Sequence, residues 1–300
     1  MPTLFSIIIP CFNYAKVLPR AIESVLLQSG SDYEVLVIND GSTDNSLSVA
    51  HELAERYPSL ISVIDQDNAG PAATRNRGIE GSLGQYLIFL DADDELLPGA
   101  LAIFRERLQE MPEIHVLVAG HNSITESGGS KYISPGMMPN TPKDRVEAYL
   151  LSKRLVLSNG SVAFARDVFS QYRYPEQYRS SEDLSVFVHA LANYNCSLLD
   201  DAVAAVHKHG DSLRHDLLIS NSVGLAIVDE VFSSERLQED VLGLKSRFYI
   251  QRCLSLSRTA YLSKDYVNCK RYFHLAYKVN WKVVFDFSYF RKFILSSLKR

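Results

Sequence analysis

YLIFLDADDE, residues 86–95, runs five apolar side chains straight into four acids within five positions: Asp91, Asp93, Asp94 and Glu95. The apolar half reads as a short buried strand. Carboxylates crowded at its mouth repel, and each resists ionising beside the others. Either they are solvated or something positive sits between them. On an extended strand, residues i and i+2 point to the same side, so Asp91 and Asp93 can converge. Two converging carboxylates suit a hard divalent cation, Mg²⁺ or Mn²⁺, which prefers oxygen ligands and keeps places for phosphate and water. Such an ion would cancel the repulsion. The plainer reading is an acidic helix start, where Asp and Glu favour the dipole. Glu95 fits that role, because Leu97, Leu101, Phe104, Leu108 and Met111 follow at helical spacing.

Working outward, the same alternation of strand and helix repeats. FSIIIP (5–10), EVLVI (34–38), residues 61–64 and residues 116–119 read as strands, with amphipathic helices predicted over 16–29 and 45–57. Strands and helices in this rhythm predict an α/β fold with a mostly parallel sheet covered on both faces. Ligands of such sheets bind beyond the carboxyl ends of the strands. Those ends read PCFN (10–13), NDGSTD (39–44), DQDNAGPAATRNRG (65–78) and DADDE (91–95). None carries GxGxxG or GxxxxGK[ST], which excludes a dinucleotide fingerprint and a P-loop. The pattern loosens over 120–159, where an edge hairpin and a helix over 143–152 are expected. Strands over 161–164 and 202–206 then flank a helix over 183–193. Beyond residue 216 the chain reads as helical, with one tetratricopeptide-like hairpin over 260–280.

Bulk properties narrow the function. The chain has 300 residues, 46% hydrophobic and 22% charged, with a formal net charge of −4. That is ordinary globular composition without the basic face a nucleic-acid binder needs. Its four cysteines are scattered with no CxxC pair, as expected of free thiols in a reducing compartment. MPTLFSIIIPCF reads as a first strand rather than a signal peptide, and no run approaches ~20 apolar residues. A cytoplasmic protein is expected. The last segment, KVVFDFSYFRKFILSSLKR, sets Lys282, Arg291, Lys292, Lys299 and Arg300 against one acid, Asp286, and interleaves them with aromatics. Such a helix suits either the inner face of a membrane or packing on the catalytic domain.

Six motifs in order carry a resemblance: SIIIPCFN (6–13), EVLVINDGSTDNS (34–46), NAGPAATRNRG (68–78), YLIFLDADD (86–94), SED (181–183) and HKHGDS (207–212). Together they resemble the family 2 glycosyltransferases, which have the GT-A fold. The likeness covers roughly residues 1–215 and leaves 216–300 as a helical accessory region. It implies an inverting, metal-dependent enzyme that moves a sugar from a nucleotide diphosphate donor, UDP-linked, to an acceptor hydroxyl. The implied acceptor is a glycan or lipid-linked sugar, in cell-surface polysaccharide synthesis. By the same resemblance, Asp91, Asp93, Asp94 and His209 are metal-site candidates, without a choice of direct ligand. Asp40 would accept a hydrogen bond from the base, Pro10, Phe12 and Asn13 would wall it, and Arg75, Asp93 and Arg214 would meet ribose or phosphates. Asp183, or its neighbour Glu182, would be the general base.

Each motif has a plainer alternative. Asp-Gly-Ser is turn chemistry, with Asp44 placed to cap the next helix. Cys11 suits a small buried residue, Arg77 a solvated helix face, and Glu182 and Asp183 a helix start. Two other functions remain. A nucleotidyltransferase would share the sheet and the metal, but PCFNYAKVL lacks the basic Gly-rich loop expected after its first strand. A non-catalytic sugar-nucleotide scaffold would need no base.

Overall fold

A computed structural model describes residues 2–208 and 224–298. Four parallel strands form its first half: β1 (Phe5–Cys11), β2 (Tyr33–Asp40), β3 (Ile61–Gln66) and β4 (Tyr86–Phe89), in the order β3-β2-β1-β4. The sheet continues through β8 (Val162–Ala165), antiparallel to β4, then β6 (Val116–Ile124), β9 (Cys196–His207) and β5 (Glu95–Leu96). A further strand, β7 (Ser130–Ile133), forms the expected edge hairpin with β6. The sheet is therefore mixed but mostly parallel.

Alternate residues of the central strands divide between two cores. Ile8, Leu36, Ile38, Leu87 and Phe89 face one side; Ile7, Ile9, Val35, Val37 and Ile88 face the other. This period of two, with both faces buried, is why the strands read as unbroken apolar runs. Helices α1 (Leu18–Leu26), α2 (Ser46–Arg56) and α4 (Ala100–Glu110) cover one face. On the other lie α3 (Pro71–Gly81), α5 (Pro142–Leu150), α6 (Val168–Gln171) and α7 (Glu182–Asn193). Gly78 lets α3 approach β1 closely, since a Cβ there would stand 2.3 Å from Cγ2 of buried Ile8. Gly78→Ala is therefore expected to cost about 1–3 kcal/mol by overpacking. A urea titration checks this, and an unchanged midpoint would mean that the helix shifts freely.

Several local expectations are corrected. Glu95 does not start a helix: α4 begins five residues later at Ala100, and Glu95 lies in β5, paired with β9. Its carboxylate meets Arg20 Nε at 3.2 Å and His207 Nε2 at 2.7 Å. Strands β6 and β9 extend well beyond the predicted 116–119 and 202–206, because the two pair with each other along most of their length.

From residue 224 onward come α8 (Ala226–Val231), α9 (Glu239–Leu242), α10 (Lys245–Leu262), α11 (Tyr266–Val279), a 3₁₀ turn (Trp281–Phe285) and α12 (Phe287–Leu298). Ile227, Val231, Val241 and Phe248 belong to the same core as Phe187 and Leu191 of α7. Cys253, Phe273, Ala276 and Val283 form a separate small core. Thus α8, α9 and the start of α10 pack as part of the sheet domain, and the segregated helical unit begins within α10. All four cysteines are free thiols.

Candidate active site

Parallel β1, β2, β3 and β4 bring their carboxyl ends to one edge, where Pro10, Phe12, Asn13, Asp40 and the acids after β4 lie. Asp40 ends β2 and is only 4% exposed. Its Oδ1 accepts from Gln66 Nε2 (2.8 Å) and the Ala69 N–H (2.8 Å). Oδ2 accepts from the Gly70 N–H (2.9 Å) and Asn68 Nδ2 (3.3 Å). Gly70 adopts φ +93°, in the left-handed region, immediately before α3. Asp40 thus clamps the loop between β3 and α3 against β2.

The loops after β1 and β2 are stitched together as well. Asn13, at φ +61°, accepts through Oδ1 from the Thr43 N–H (2.7 Å), while its own N–H donates to Ser42 Oγ (3.0 Å). The Asp44 carboxylate accepts from Ser46, the first residue of α2, and from the Ala15 N–H. Phe12 projects at this mouth with its side chain half in solvent, beside partly buried Pro10. Cys11 is buried, and burial pushes its thiol pKa up, away from nucleophilic use.

Arg75 is the centre of the site. It projects from α3 into a buried position, its Nη1 2.6 Å from Glu182 Oε1 and its Nη2 3.0 Å from Asp91 Oδ1. The guanidinium also lies 5.5 Å from the ring centroid of buried Tyr174. Burial acts to lower its pKa, but Asp91 and Glu182 outweigh that, and the net shift is upward. A single cation therefore joins the acidic mouth of β4 to the first residue of α7. Asp183, next in α7, is partly exposed.

The three aspartates after β4 point to different neighbours. Asp91 is partly exposed and, besides Arg75, lies within 3.4 Å of Asn159 Nδ2. Asp93 is partly buried and accepts a hydrogen bond from Tyr14, whose phenol pKa is driven up first by burial and then by Asp93 and Asp91. Asp94 is buried and turned inward, with Oδ1 accepting from the His207 N–H at 2.8 Å. Among the described residues no three His, Cys, Asp or Glu side chains converge as a ready-made metal cage. His209 and Arg214 lie outside the described residues.

Sequence reasoning missed four residues. Tyr14 sits one position beyond Asn13, and only the chain's turn at the end of β1 aims it at Asp93. Asn159 and Tyr174 come from loops with no local signal. Lys153 adopts φ +53°, with its ammonium 5.6 Å from the Tyr149 ring centroid. Although the residue as a whole is exposed, desolvation lowers the pKa of its ammonium, and the Asp183 carboxylate opposes that shift.

A mostly parallel sheet that delivers an acidic pair to one edge, beside an acidic helix start, is the GT-A arrangement. The chain belongs to glycosyl transferase family 2, whose model matches residues 6–173. It is 45% identical over 93 residues to an uncharacterized glycosyltransferase, YibD, of Escherichia coli K12, a match covering 31% of this chain and 27% of YibD. It is 26% identical over 210 residues to WcaA of the same organism, a putative colanic acid biosynthesis glycosyl transferase, covering 69% of this chain and 74% of WcaA. Among solved structures, S. aureus TarS 1-349 in complex with UDP superposes with a TM-score of 0.66 at 20% identity, covering 98% of this chain and 89% of TarS.

Proposed function

We propose that this chain transfers a sugar from a nucleoside-diphosphate donor, UDP-linked, to a hydroxyl of a glycan or lipid-linked acceptor, with inversion at the anomeric carbon. The observation that carries this reading is the Arg75 bridge. It ties the carboxylate mouth of β4, suited to the diphosphate end of a donor, to the helix start that bears Asp183. The UDP complex of TarS and the colanic acid biosynthesis role given to WcaA support the donor and pathway class.

In this reading Phe12 stacks on the base, with Pro10 and Asn13 around it. Asp40 contributes by holding the loop before α3, its carboxylate being satisfied within the chain. Asp183 takes the proton of the acceptor hydroxyl. The new C–O bond forms at the anomeric carbon as the bond to the diphosphate breaks and its electron pair leaves with the phosphate. Two partly exposed carboxylates at one strand mouth fit a hard cation, so Asp91 and Asp93 would hold Mn²⁺ or Mg²⁺, with Asp94 supporting the strand behind them. When bound, the ion would supply positive charge against the departing diphosphate.

Asp93→Ala tests the acidic pair. It is expected to weaken Mn²⁺-dependent UDP binding by about tenfold or more in calorimetry, because even loss of an outer-shell partner of a metal ligand typically costs about 10–100-fold. The melting midpoint should hold, since the side chain is at the mouth rather than in the core. Unchanged UDP affinity in the presence of metal would sink this assignment. A panel of nucleotide sugars, scored for metal-stimulated UDP release, tests the donor class separately.

A further inference from the structure

One helix in the segregated C-terminal unit has two apolar faces, and only one of them is covered. α12 packs inward through Tyr289, Phe290 and Phe293. Phe293 stacks on Phe273 of α11 at 4.6 Å between centroids, and Phe290 sits at 6.0 Å from the same ring. On another side, Phe287, Arg291, Ile294 and Leu298 follow at spacings of four, three and four. At 3.6 residues per turn these four fall within roughly 60° of arc. Phe287 is 79% exposed and Leu298 77% exposed, and Ile294 and Arg291 also face solvent. The 3₁₀ turn leading into α12 adds Trp281 and Phe285, both exposed, their rings edge-on at 5.7 Å.

A surface helix ordinarily turns polar residues outward, and a cluster of exposed aromatic and aliphatic side chains marks a contact surface. The charges around this one indicate what it meets. Lys278, Lys282, Arg291 and Lys292 lie in the same stretch of chain, with Asp286 as the single acid between residues 278 and 298, in a chain whose net charge is −4. A second copy docking symmetrically would set these cations against themselves. An anionic surface would receive them. Trp, Phe and Leu between Lys and Arg is the composition that settles at the boundary between headgroups and acyl chains. With 12 residues, α12 spans only about 18 Å, and no helix among the described residues is long and apolar enough to cross a membrane.

We propose that the Trp281, Phe285, Phe287, Ile294 and Leu298 face of the C-terminal unit lies on a bilayer surface bearing anionic lipids, with α12 parallel to the membrane plane. This placement does not depend on the donor or acceptor assigned above.

The full chain would be sedimented with vesicles of phosphatidylcholine alone and of phosphatidylcholine mixed with phosphatidylglycerol. Partition onto the anionic vesicles is expected to be stronger by about tenfold or more, and to fall with added salt. Phe287→Ser/Ile294→Ser/Leu298→Ser removes the exposed stripe without touching the packed face. It should weaken partition by about tenfold or more while leaving the melting midpoint in place. Arg291→Glu/Lys292→Glu should abolish the preference for anionic lipid even if the triple variant folds poorly. The proposal is overturned if the wild-type chain ignores both vesicles, or if the triple variant binds as well as wild type. It is equally overturned if sedimentation velocity shows that the stripe holds two copies together and vesicle binding is absent.

Discussion

Asp183→Asn is expected to lower kcat for sugar transfer by about 10²–10⁴ while leaving UDP affinity within about twofold. Asn keeps the size and hydrogen-bonding reach of Asp but cannot accept a proton near neutral pH. Asp183 is the partly exposed member of the acidic pair at the start of α7, so solvent reaches it where it does not reach Glu182. Glu182 is buried and committed to Arg75 at 2.6 Å. To act as the base it would first have to leave its cation. Glu182→Gln should therefore appear mainly as lost stability, with a smaller fall in kcat per folded molecule. A larger kcat loss in Glu182→Gln than in Asp183→Asn would exchange the two roles. Wild-type turnover in both, at saturating acceptor, would place the base elsewhere.

Arg75→Ala is expected to destabilise the fold by about 3–5 kcal/mol, toward the lower figure because Asp91 is partly hydrated. The change leaves the Glu182 carboxylate buried without its partner and empties space beside the Tyr174 ring. Arg75→Lys should recover little of this. A single ammonium cannot reproduce the guanidinium fork that reaches Glu182 and Asp91 at once. Chemical denaturation measures the loss. UDP affinity, measured well below the melting midpoint, then shows whether the mouth of β4 keeps its shape without the bridge. A midpoint within about 0.5 kcal/mol of wild type would mean that the bridge is not structural.

These two predictions depend on different kinds of information. Asp183 was nameable from sequence because SED stands before an amphipathic helix, in order behind four other motifs and ahead of a sixth. Arg75 was nameable as well, but its expected partner was a ligand phosphate. Its partners here are two carboxylates from segments 16 and 107 positions further along the chain. No periodicity encodes such a meeting. It arises where α3, the end of β4 and the start of α7 are packed against one another.

Glu95 shows the complementary limit. A run of acids before an apolar stripe at helical spacing supports a helix start, and locally nothing argues against it. Pairing with distant β9 converts Glu95–Leu96 into strand and delays the helix to Ala100. Tertiary hydrogen bonding overrides local propensity in this case because the antiparallel ladder with β9, Glu95 opposite Ala205 and Leu96 opposite Ala204, satisfies backbone groups beside the core.

The amino-acid sequence by itself determined the α/β class, the mostly parallel sheet, the edge at which the candidate residues lie and the helical character of the C-terminal segment. Those properties follow from side-chain periodicity and from the rule that parallel strands end together. Tertiary structure alone decided which carboxylates are buried and which reach solvent. Asp40 and Asp94 are buried in holding loops and strands and Glu182 is buried against Arg75, whereas Asp91, Asp93 and Asp183 keep part of their surface in solvent beside the partners they have, Arg75 for Asp91 and Tyr14 for Asp93. It also decided that α12 hides one apolar face and shows another. The reason is physical: a residue type fixes what a group can bind, but burial and partner geometry, set by contacts between distant segments, decide whether that capacity is already used.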